Sequence, residues 1–316
     1  MGKTQTCAAS GTSFTIRDED LALYEKLSPV ISGKRYTIPP PTLCPQERER
    51  RRLAYRNEHK LYRRKSSLSG GAIISFFHPE SPYTVYSHDE WWNDQWNPLS
   101  YGKEYNFNRG FFEQFHTLQL SVPRPPLVNN NAVNSDYCNF GDDNKNCYLM
   151  TSASRNEDSY YGFLIVDCQN VVDCLWCTDS QLLYECIDCQ RCYDVQYAEN
   201  CQDCTDGVLL YDCKSVQNCI LCIGLKQKEY HILNQPCTKE EFLRKQEEIK
   251  GSYAALQESL KQFEKLKREH PIRKARHIVA SENCIGDDIF NSQSVYEGFD
   301  VYESRDCAYL HDGLKA

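Results

Sequence analysis

The sequence predicts a mainly β protein. It contains a cysteine-rich β-solenoid of about 18 residues per coil, preceded by an N-terminal module of different character and interrupted by an α-helical insertion. Three observations predict this. Between residues 133 and 222 the cysteines stand at 138, 147, 168, 174, 177, 186, 189, 192, 201, 204, 213, 219 and 222, all multiples of three. Chance puts thirteen cysteines into one class of three about twice in a million, so the period is real. The remaining members of the class are uncharged, among them Gly141, Ile165, Val171, Leu183, Val195, Ala198 and Val216, with Ser135, Asn144, Asn156 and Ser180. Asp142, Asp143, Asp167, Asp173, Glu185, Arg191 and Lys214 fall outside it. One face is therefore dry and two are wetted.

Helices repeat at 3.6 residues and strands at 2.0, so neither accounts for a period of three. Short strand segments bent at regular corners do. A longer spacing sets the coil: Cys168, Cys186, Cys204 and Cys222 are 18 residues apart, as are Cys174 and Cys192, and Cys201 and Cys219. Like residues stacked at a coil-length period mark a solenoid, in which each coil buries its face only against its neighbours. These eight cysteines are expected to form a structural ladder through roughly five coils over 126–237.

Residues 238–271 break the pattern. Thr238 and Glu241 form a capping box. Ile249, Tyr253, Leu256, Leu260 and Phe263 trace an amphipathic stripe. Gly251-Ser252 divides it and Pro271 ends it. A helical hairpin packed on the solenoid edge is expected, since two heptads are short for a coiled-coil seam. The triplet resumes over 272–316, with Gly286, Ile289, Ser292, Val295, Gly298, Val301, Ser304 and Cys307 uncharged and shifted by one class. Solenoids end in polar caps. None precedes Ala316, which is the expectation for a shortened or truncated member.

The first 125 residues carry a different echo. Cys7-Ala-Ala-Ser10-Gly11 has the outline of one zinc-ribbon knuckle and Cys44-Pro-Gln-Glu47 that of the second. Ser66-x-x-Ser69-Gly70 and Ser87-x-x-Glu90 repeat it without cysteine. A structural zinc needs four ligands, and Cys7, Cys44 and Glu47 are the candidates. The module reads as degenerate and zinc-ribbon-like: either metal-free hairpins, or zinc held at Cys7 and Cys44 with borrowed ligands. Segment 48–65 lies between the two outlines. Its basic residues are Arg48, Arg50, Arg51, Arg52, Arg56, Lys60, Arg63, Arg64 and Lys65, interleaved with Tyr55, His59 and Tyr62. Such a run can grip phosphates and stack bases, or serve as a solvated face or an intramolecular partner for an acidic body. Trp91, Trp92, Trp96, Tyr101, Tyr105, Phe107, Phe111, Phe112 and Phe115 are expected to form a core joining this module to the first coil; the alternative is a ligand or partner pocket.

Three segments carry a resemblance: TLCPQERERRRLAYRNEHKLYRRKS, PYTVYSHDEWWNDQWNPLSYG and FFEQFHTLQLSVPRP, followed by the cysteine-rich repeat. Together the chain resembles an uncharacterised cysteine-rich, zinc-ribbon-like family of uncultured candidate-phylum bacteria. The resemblance implies zinc ribbons in the N-terminal half and no particular activity. It also implies cysteines where Ser10, Glu47, Ser66, Ser69, Ser87 and Glu90 stand, which weighs against zinc in this chain.

Composition narrows the function. A net charge of −8 argues against whole-chain nucleic-acid binding, because phosphates need a cationic surface. MGKTQTCAAS lacks the apolar core of a secretory signal. Gly2 with Thr6 matches only the bare, common myristoylation pattern. A cytoplasmic, reducing location is expected, where eighteen cysteines are packed thiols or metal ligands rather than disulfides. The C-x-x-C pairs lack knuckle prolines and glycines, and their register is filled elsewhere by residues that cannot ligate, so packed thiols are favoured. No P-loop, nucleophile elbow or H-E-x-x-H occurs, and no catalytic residue is singled out. The expected function is a non-catalytic scaffold with a protein partner. The alternatives are a zinc- or nucleic-acid-binding ribbon, touching RNA or the ribosome through 48–65, and an enzyme using a groove near Asp142, Asp143 and Asp167.

Overall fold

The computed structural model describes residues 2–53, 57–269 and 277–316. They belong to two compact units, residues 57–272 and residues 1–56 with 273–316. Strand exceeds helix, 36% against 23%. Pro271, Tyr55 and Arg56 lie outside the described residues.

In unit 57–272 the triplet becomes a stack of parallel strands. Phe163–Val166, Leu175–Thr178, Gln181–Ile187, Tyr193–Glu199, Thr205–Tyr211, Gln217–Ile223 and Glu229–Ile232 pair side by side. The offset is 12 residues, not 18. Gln181 faces Tyr193, Tyr193 faces Thr205, Thr205 faces Gln217 and Gln217 faces Glu229. Isolated bridges keep the same offset from Val133 onward, as at Asn139–Thr151 and Lys145–Glu157. Eighteen residues is one offset plus half of another, so Cys186 and Cys204 are not stacked neighbours. Cys186 instead lies between Cys174, whose sulfur accepts its N–H at 3.3 Å, and Ala198. Cysteine spacing misled because each stacked column mixes cysteine with other small residues.

The period of three has a backbone cause. The residue before each inward one has a left-handed φ near +50°, as at Asn146, Asp158, Asp167, Asp173, Asp179, Asp194, Asn200 and Asp203. Each such corner costs about 1 kcal/mol or more for an ordinary side chain, and Asn and Asp tolerate it best. The backbone groups flanking the corners are paired to the next rung on both sides. Lys145 N–H donates to Asn156 O at 2.9 Å, and Asn146 N–H to Val133 O at 2.9 Å.

Every third residue then points inward. All eight ladder cysteines, Cys168, Cys174, Cys186, Cys192, Cys201, Cys204, Cys219 and Cys222, are buried with Ile165, Val171, Leu183, Val195 and Ala198. Their sulfurs lie near the carbonyl two residues back, 3.3 Å for Cys192 to Gln190 O and 3.3 Å for Cys201 to Glu199 O. Inward serines do the same: Ser180 Oγ donates to Thr178 O at 2.9 Å and accepts from Cys192 N–H at 3.1 Å. Asn144 and Asn156 form a buried amide ladder at 3.0 Å. The inward groups of Ser180, Asn144 and Asn156 are thus satisfied locally, as burial requires.

The helical insertion is two helices, Lys239–Gly251 and Tyr253–Glu269. Thr238 and Glu241 close the expected capping box. The hairpin covers the outward face of the last strands rather than the edge. Phe242, Ile249 and Phe263 bury Val208, Leu209, Ile220 and Leu221. Outward positions there are apolar, so a cover is required, and each buried helix side chain contributes about 1.5–3 kcal/mol. The edge is closed by Gln235–Pro236, antiparallel to Glu229–Ile232.

In the other unit, Ile278–Val279, Ile285–Phe290, Gln293–Tyr302, Arg305–Ala308 and His311–Leu314 are again parallel. The offset is 12 at Gly286–Gly298, Gln293–Arg305 and Val301–Gly313, but 11 before Gly286, at Ile278–Ile289, Glu282–Gln293 and Ile285–Tyr296. The missing residue is absorbed at Gly286, whose φ is +148°, and this shift places the later inward residues in their own class. Ile289, Ser292, Val295, Val301 and Ser304 are buried.

Candidate functional site

The two knuckle outlines are real hairpins, one in each unit. Lys3–Thr6 pairs with Ser13–Ile16, and Tyr62–Lys65 with Ala72–Ser75. Each turn ends on a glycine with positive φ, Gly11 at 71° and Gly70 at 75°. Each second half opens a helix, Pro45–Leu53 and His88–Trp92.

In the first knuckle Cys7 and Cys44 are buried, and Ser10 Oγ lies 3.9 Å from Cys44 Sγ. The Ser10 hydroxyl, with backbone groups of Cys44 and Ser10, holds the Cys7 thiol down to about 6. Glu47 points elsewhere: its carboxylate accepts from Arg50 at 2.7 and 3.1 Å. Two thiols and a hydroxyl fall short of the four donors a structural zinc requires.

The second knuckle is closed by hydrogen bonds. Ser66 Oγ donates to Glu90 Oε2. Ser87 N–H also donates to Glu90 Oε2, at 2.8 Å, and Glu90 N–H donates to Ser87 Oγ at 3.2 Å. Burial raises the Glu90 carboxyl, but hydrogen bonds from Ser66, Ser69 and Ser87 outweigh it and hold it at about 2. The four positions where a ribbon carries ligands here satisfy one another, so this donor set does not fit zinc. Ser87-x-x-Glu90 is also a capping box, the signal from which the sequence could have given Glu90 a role.

The basic run is dispersed. Arg48, Arg50, Arg51 and Arg52 ride on Pro45–Leu53 in one unit; Lys60, Arg63, Arg64 and Lys65 lie in or beside Tyr62–Lys65 in the other. Arg48 sits over the rings of Tyr24 and Tyr309, at 5.9 and 5.6 Å. Arg64 donates to His78 O, Ser81 Oγ and Tyr83 O at 3.2–3.3 Å. Lys60 caps the Tyr62 ring at 5.4 Å. Arg51 and Arg52 are exposed.

The sulfurs inside the stack form no ligand triangle. Among the described residues, groups of three ligand atoms mutually within 4.8 Å are built from His and Asp, not from Cys. Burial pushes the Cys138 and Cys168 thiols up to about 11, while thiol–thiol hydrogen bonds in the middle of the stack pull Cys174 and Cys204 down and push Cys177 and Cys192 up. Two of the three acidic groove candidates are rung-to-rung partners: Asp142 accepts from the Ser154 hydroxyl, and Asp167 grips Arg155 at 2.6 and 2.7 Å.

The aromatic block departs furthest from expectation. Trp91, Trp96 and Tyr101 are half-buried, Tyr101 packing on Trp96 at 6.2 Å and the two indole N–H groups donating to Pro123 O at 3.3 Å and Trp91 O at 2.9 Å. The rest is surface rather than core. Phe107 is 89% exposed, Leu99 84% and Phe112 82%, with Trp92, Tyr105, Phe111 and Phe115 also exposed. Joining to the stack is done instead by His59 against Phe163, ring centres 4.6 Å apart, and Phe76 against Phe140 at 5.3 Å. The exposed rings still touch one another: Phe111 with Phe112 at 5.4 Å, Phe111 with Phe115 at 5.7 Å, and Tyr105 with Phe107 at 4.9 Å. Helix Phe111–Ser121 carries no Lys or Arg and buries no residue fully.

No helix among the described residues is long and apolar enough to cross a membrane. No family model matches the chain, and no curated protein matches it. A solved structure of a Bacillus cereus protein, provisionally described as an acetyltransferase, is similar over 44% of this chain and 91% of its own at 7% identity, with a TM-score of 0.13. A similarity that low carries no argument about fold or activity.

Proposed function

We propose that the protein is a non-catalytic scaffold: a β-solenoid of 12-residue coils that holds an aromatic helix out to a protein partner. One observation carries this reading, the exposed residues Leu99, Tyr105, Phe107, Phe111, Phe112 and Phe115, whose rings touch in two groups, Tyr105 with Phe107 and Phe111 with Phe112 and Phe115. Exposed apolar patches of this kind mark interaction sites, and aromatic anchors dominate interface energetics. Phe111, Phe115 and Leu118 follow the i, i+4, i+7 spacing of a helix that docks into a groove. The polar positions of this helix are Glu113, Gln114, His116, Thr117 and Gln119. A helix lying on an anionic membrane carries lysine and arginine there, so a protein groove is favoured over lipid. The stack acts as a rigid mount, and its cysteines are core. The reading takes the cysteines as thiols and so expects a reducing, cytoplasmic setting.

The test is a photo-crosslinking residue at Phe112 in the full chain, expressed in cells, with exposed Gln181 on the stack as control. A discrete adduct from 112, absent from 181 and abolished by Phe111→Asp with Phe115→Asp while the thermal melt is unchanged, supports the reading. Equal labelling from both positions, or substrate turnover lost on changing one core cysteine, overturns it.

A further inference from the structure

The parallel strands of the C-terminal segment assemble a second cluster from residues one strand offset apart in the sequence. Asp288, Asp300 and Asp312 occupy one position on neighbouring strands, because Ile289 faces Val301 and Val301 faces Gly313. His277 extends the column, since Ile278 faces Ile289. Asp287 and His311 stand in the adjoining column, either side of Phe299. Neighbouring strands are about 4.8 Å apart, so like charges stacked this way repel. No described lysine or arginine pairs with these four carboxylates. Imidazoles face them instead. His277 Nδ1 is 3.5 Å from both Asp287 Oδ1 and Asp288 Oδ1. His311 Nε2 is 3.7 Å from Asp300 Oδ2, and its Nδ1 is 3.2 Å from Asp312 Oδ2. That Nδ1 is buried and makes no hydrogen bond, an uncommon condition for a buried polar atom. In each of two groups, His277–Asp287–Asp288 and Asp300–His311–Asp312, one ligand atom per residue lies within 4.8 Å of the others.

We propose that these two His–Asp–Asp groups bind divalent transition-metal ions, one per group, through one imidazole nitrogen and two carboxylates each. Two carboxylates cancel the charge of a divalent ion, and the ion removes the repulsion along the aspartate column. A mixed nitrogen–oxygen set suits Mn2+, Co2+ or Zn2+ rather than the soft ions that thiolates select. The proposal is independent of the aromatic surface, whose residues belong to the other unit.

The probe is Mn2+, which competes poorly for the core thiols. Titration of the full chain is followed by loss of the free-ion six-line electron paramagnetic resonance signal, with circular dichroism reporting folding. Two ions bound per chain are expected, falling to one in either His277→Gln or His311→Gln and to none in the double variant. Asp312→Asn at the exposed end reads the second group if His311→Gln melts early. Free Mn2+ signal undiminished at millimolar ion overturns the proposal. So does an unchanged stoichiometry in the folded double variant, which would mark diffuse binding to an acidic surface.

Discussion

Cys192 separates packed thiol from metal ligand by magnitude alone. Its neighbours along the stack are Ser180, whose hydroxyl accepts its N–H at 3.1 Å, and Cys204 one offset further on. Its sulfur lies 3.3 Å from Gln190 O, and Ser180 Oγ makes the equivalent bond to Thr178 O at 2.9 Å. Cys192→Ser therefore places a hydroxyl where an identical hydroxyl already has a partner, and the expected cost is about 1 kcal/mol or less. Cys192→Ala leaves roughly 20 Å3, or about 0.5 kcal/mol of cavity at ~24 cal/mol per Å3, and with the lost transfer term about 1–1.5 kcal/mol in all. Cys192→Leu must enlarge a rung bounded by backbone on every side and should cost about 3 kcal/mol or more. A structural thiolate–metal site, by contrast, supplies about 10–16 kcal/mol of folding free energy in small domains, so losing one ligand would unfold the stack. Guanidinium unfolding of the reduced chain, followed by circular dichroism, gives the three values. A cost above about 4 kcal/mol for both Ser and Ala variants, with Leu no worse, would refute the packed-thiol account.

Three further outcomes follow from the same reasoning. Glu90 has a folded carboxyl near 2 against an ordinary 4.5, so its stabilisation is complete above 4.5 and is lost as pH falls toward 2; acid titration of tryptophan fluorescence should show a step in that window which Glu90→Gln removes. Phe242, on the inner face of the first insertion helix, is 2% exposed, so Phe242→Ala should cost about 3–5 kcal/mol, measured by thermal melt, and raise dye binding by uncovering Leu209 and Leu221. At Gly286 an added Cβ would fall 1.8 Å from Gly298 O, whereas at Gly224 nothing lies within 4 Å; Gly286→Ala should unfold its unit while Gly224→Ala costs about 1 kcal/mol, read by hydrogen exchange in each unit.

Much of the stack was legible because burial writes directly into composition. Each inward position admits only small or apolar residues, and thirteen cysteines repeat that constraint. The cysteines carried the offset ambiguously: Cys174–Cys186, Cys177–Cys189, Cys189–Cys201, Cys192–Cys204 and Cys201–Cys213 are 12 apart, but equally many pairs are 18 apart, and columns such as Cys186 on Ala198 and Cys219 on Gly207 interrupt the run. The informative residues were the aspartates and asparagines immediately before the cysteines, Asn146, Asp167, Asp173, Asn200 and Asp203, which mark left-handed corners. The insertion was legible in its capping box and stripe, but its seat was not, because Val208, Leu209, Ile220 and Leu221 read as core rather than as an outward face. The aromatic block was expected to be interior because tryptophan and phenylalanine usually are; no local signal distinguishes a displayed helix from a buried one. The His–Asp groups were hidden for a different reason. His311 and Asp300 are eleven residues apart and meet only through strand pairing.

The corner-and-rung geometry also limits how such a chain can vary in length. Deleting one residue turns every later inward side chain toward solvent until something resets the phase. Within a continuous stack, insertions keep the phase only in whole coils, which add a rung and leave all other contacts unchanged; the helices Lys239–Gly251 and Tyr253–Glu269 stand outside the stack, after Gln235–Pro236 has closed its last strand. The eleven-residue step before Gly286 shows what a smaller change demands: a glycine in a conformation closed to other residues, at a place where an added Cβ would fall 1.8 Å from Gly298 O. Natural relatives of this fold should therefore differ by multiples of twelve, and exceptions should carry a glycine at the seam.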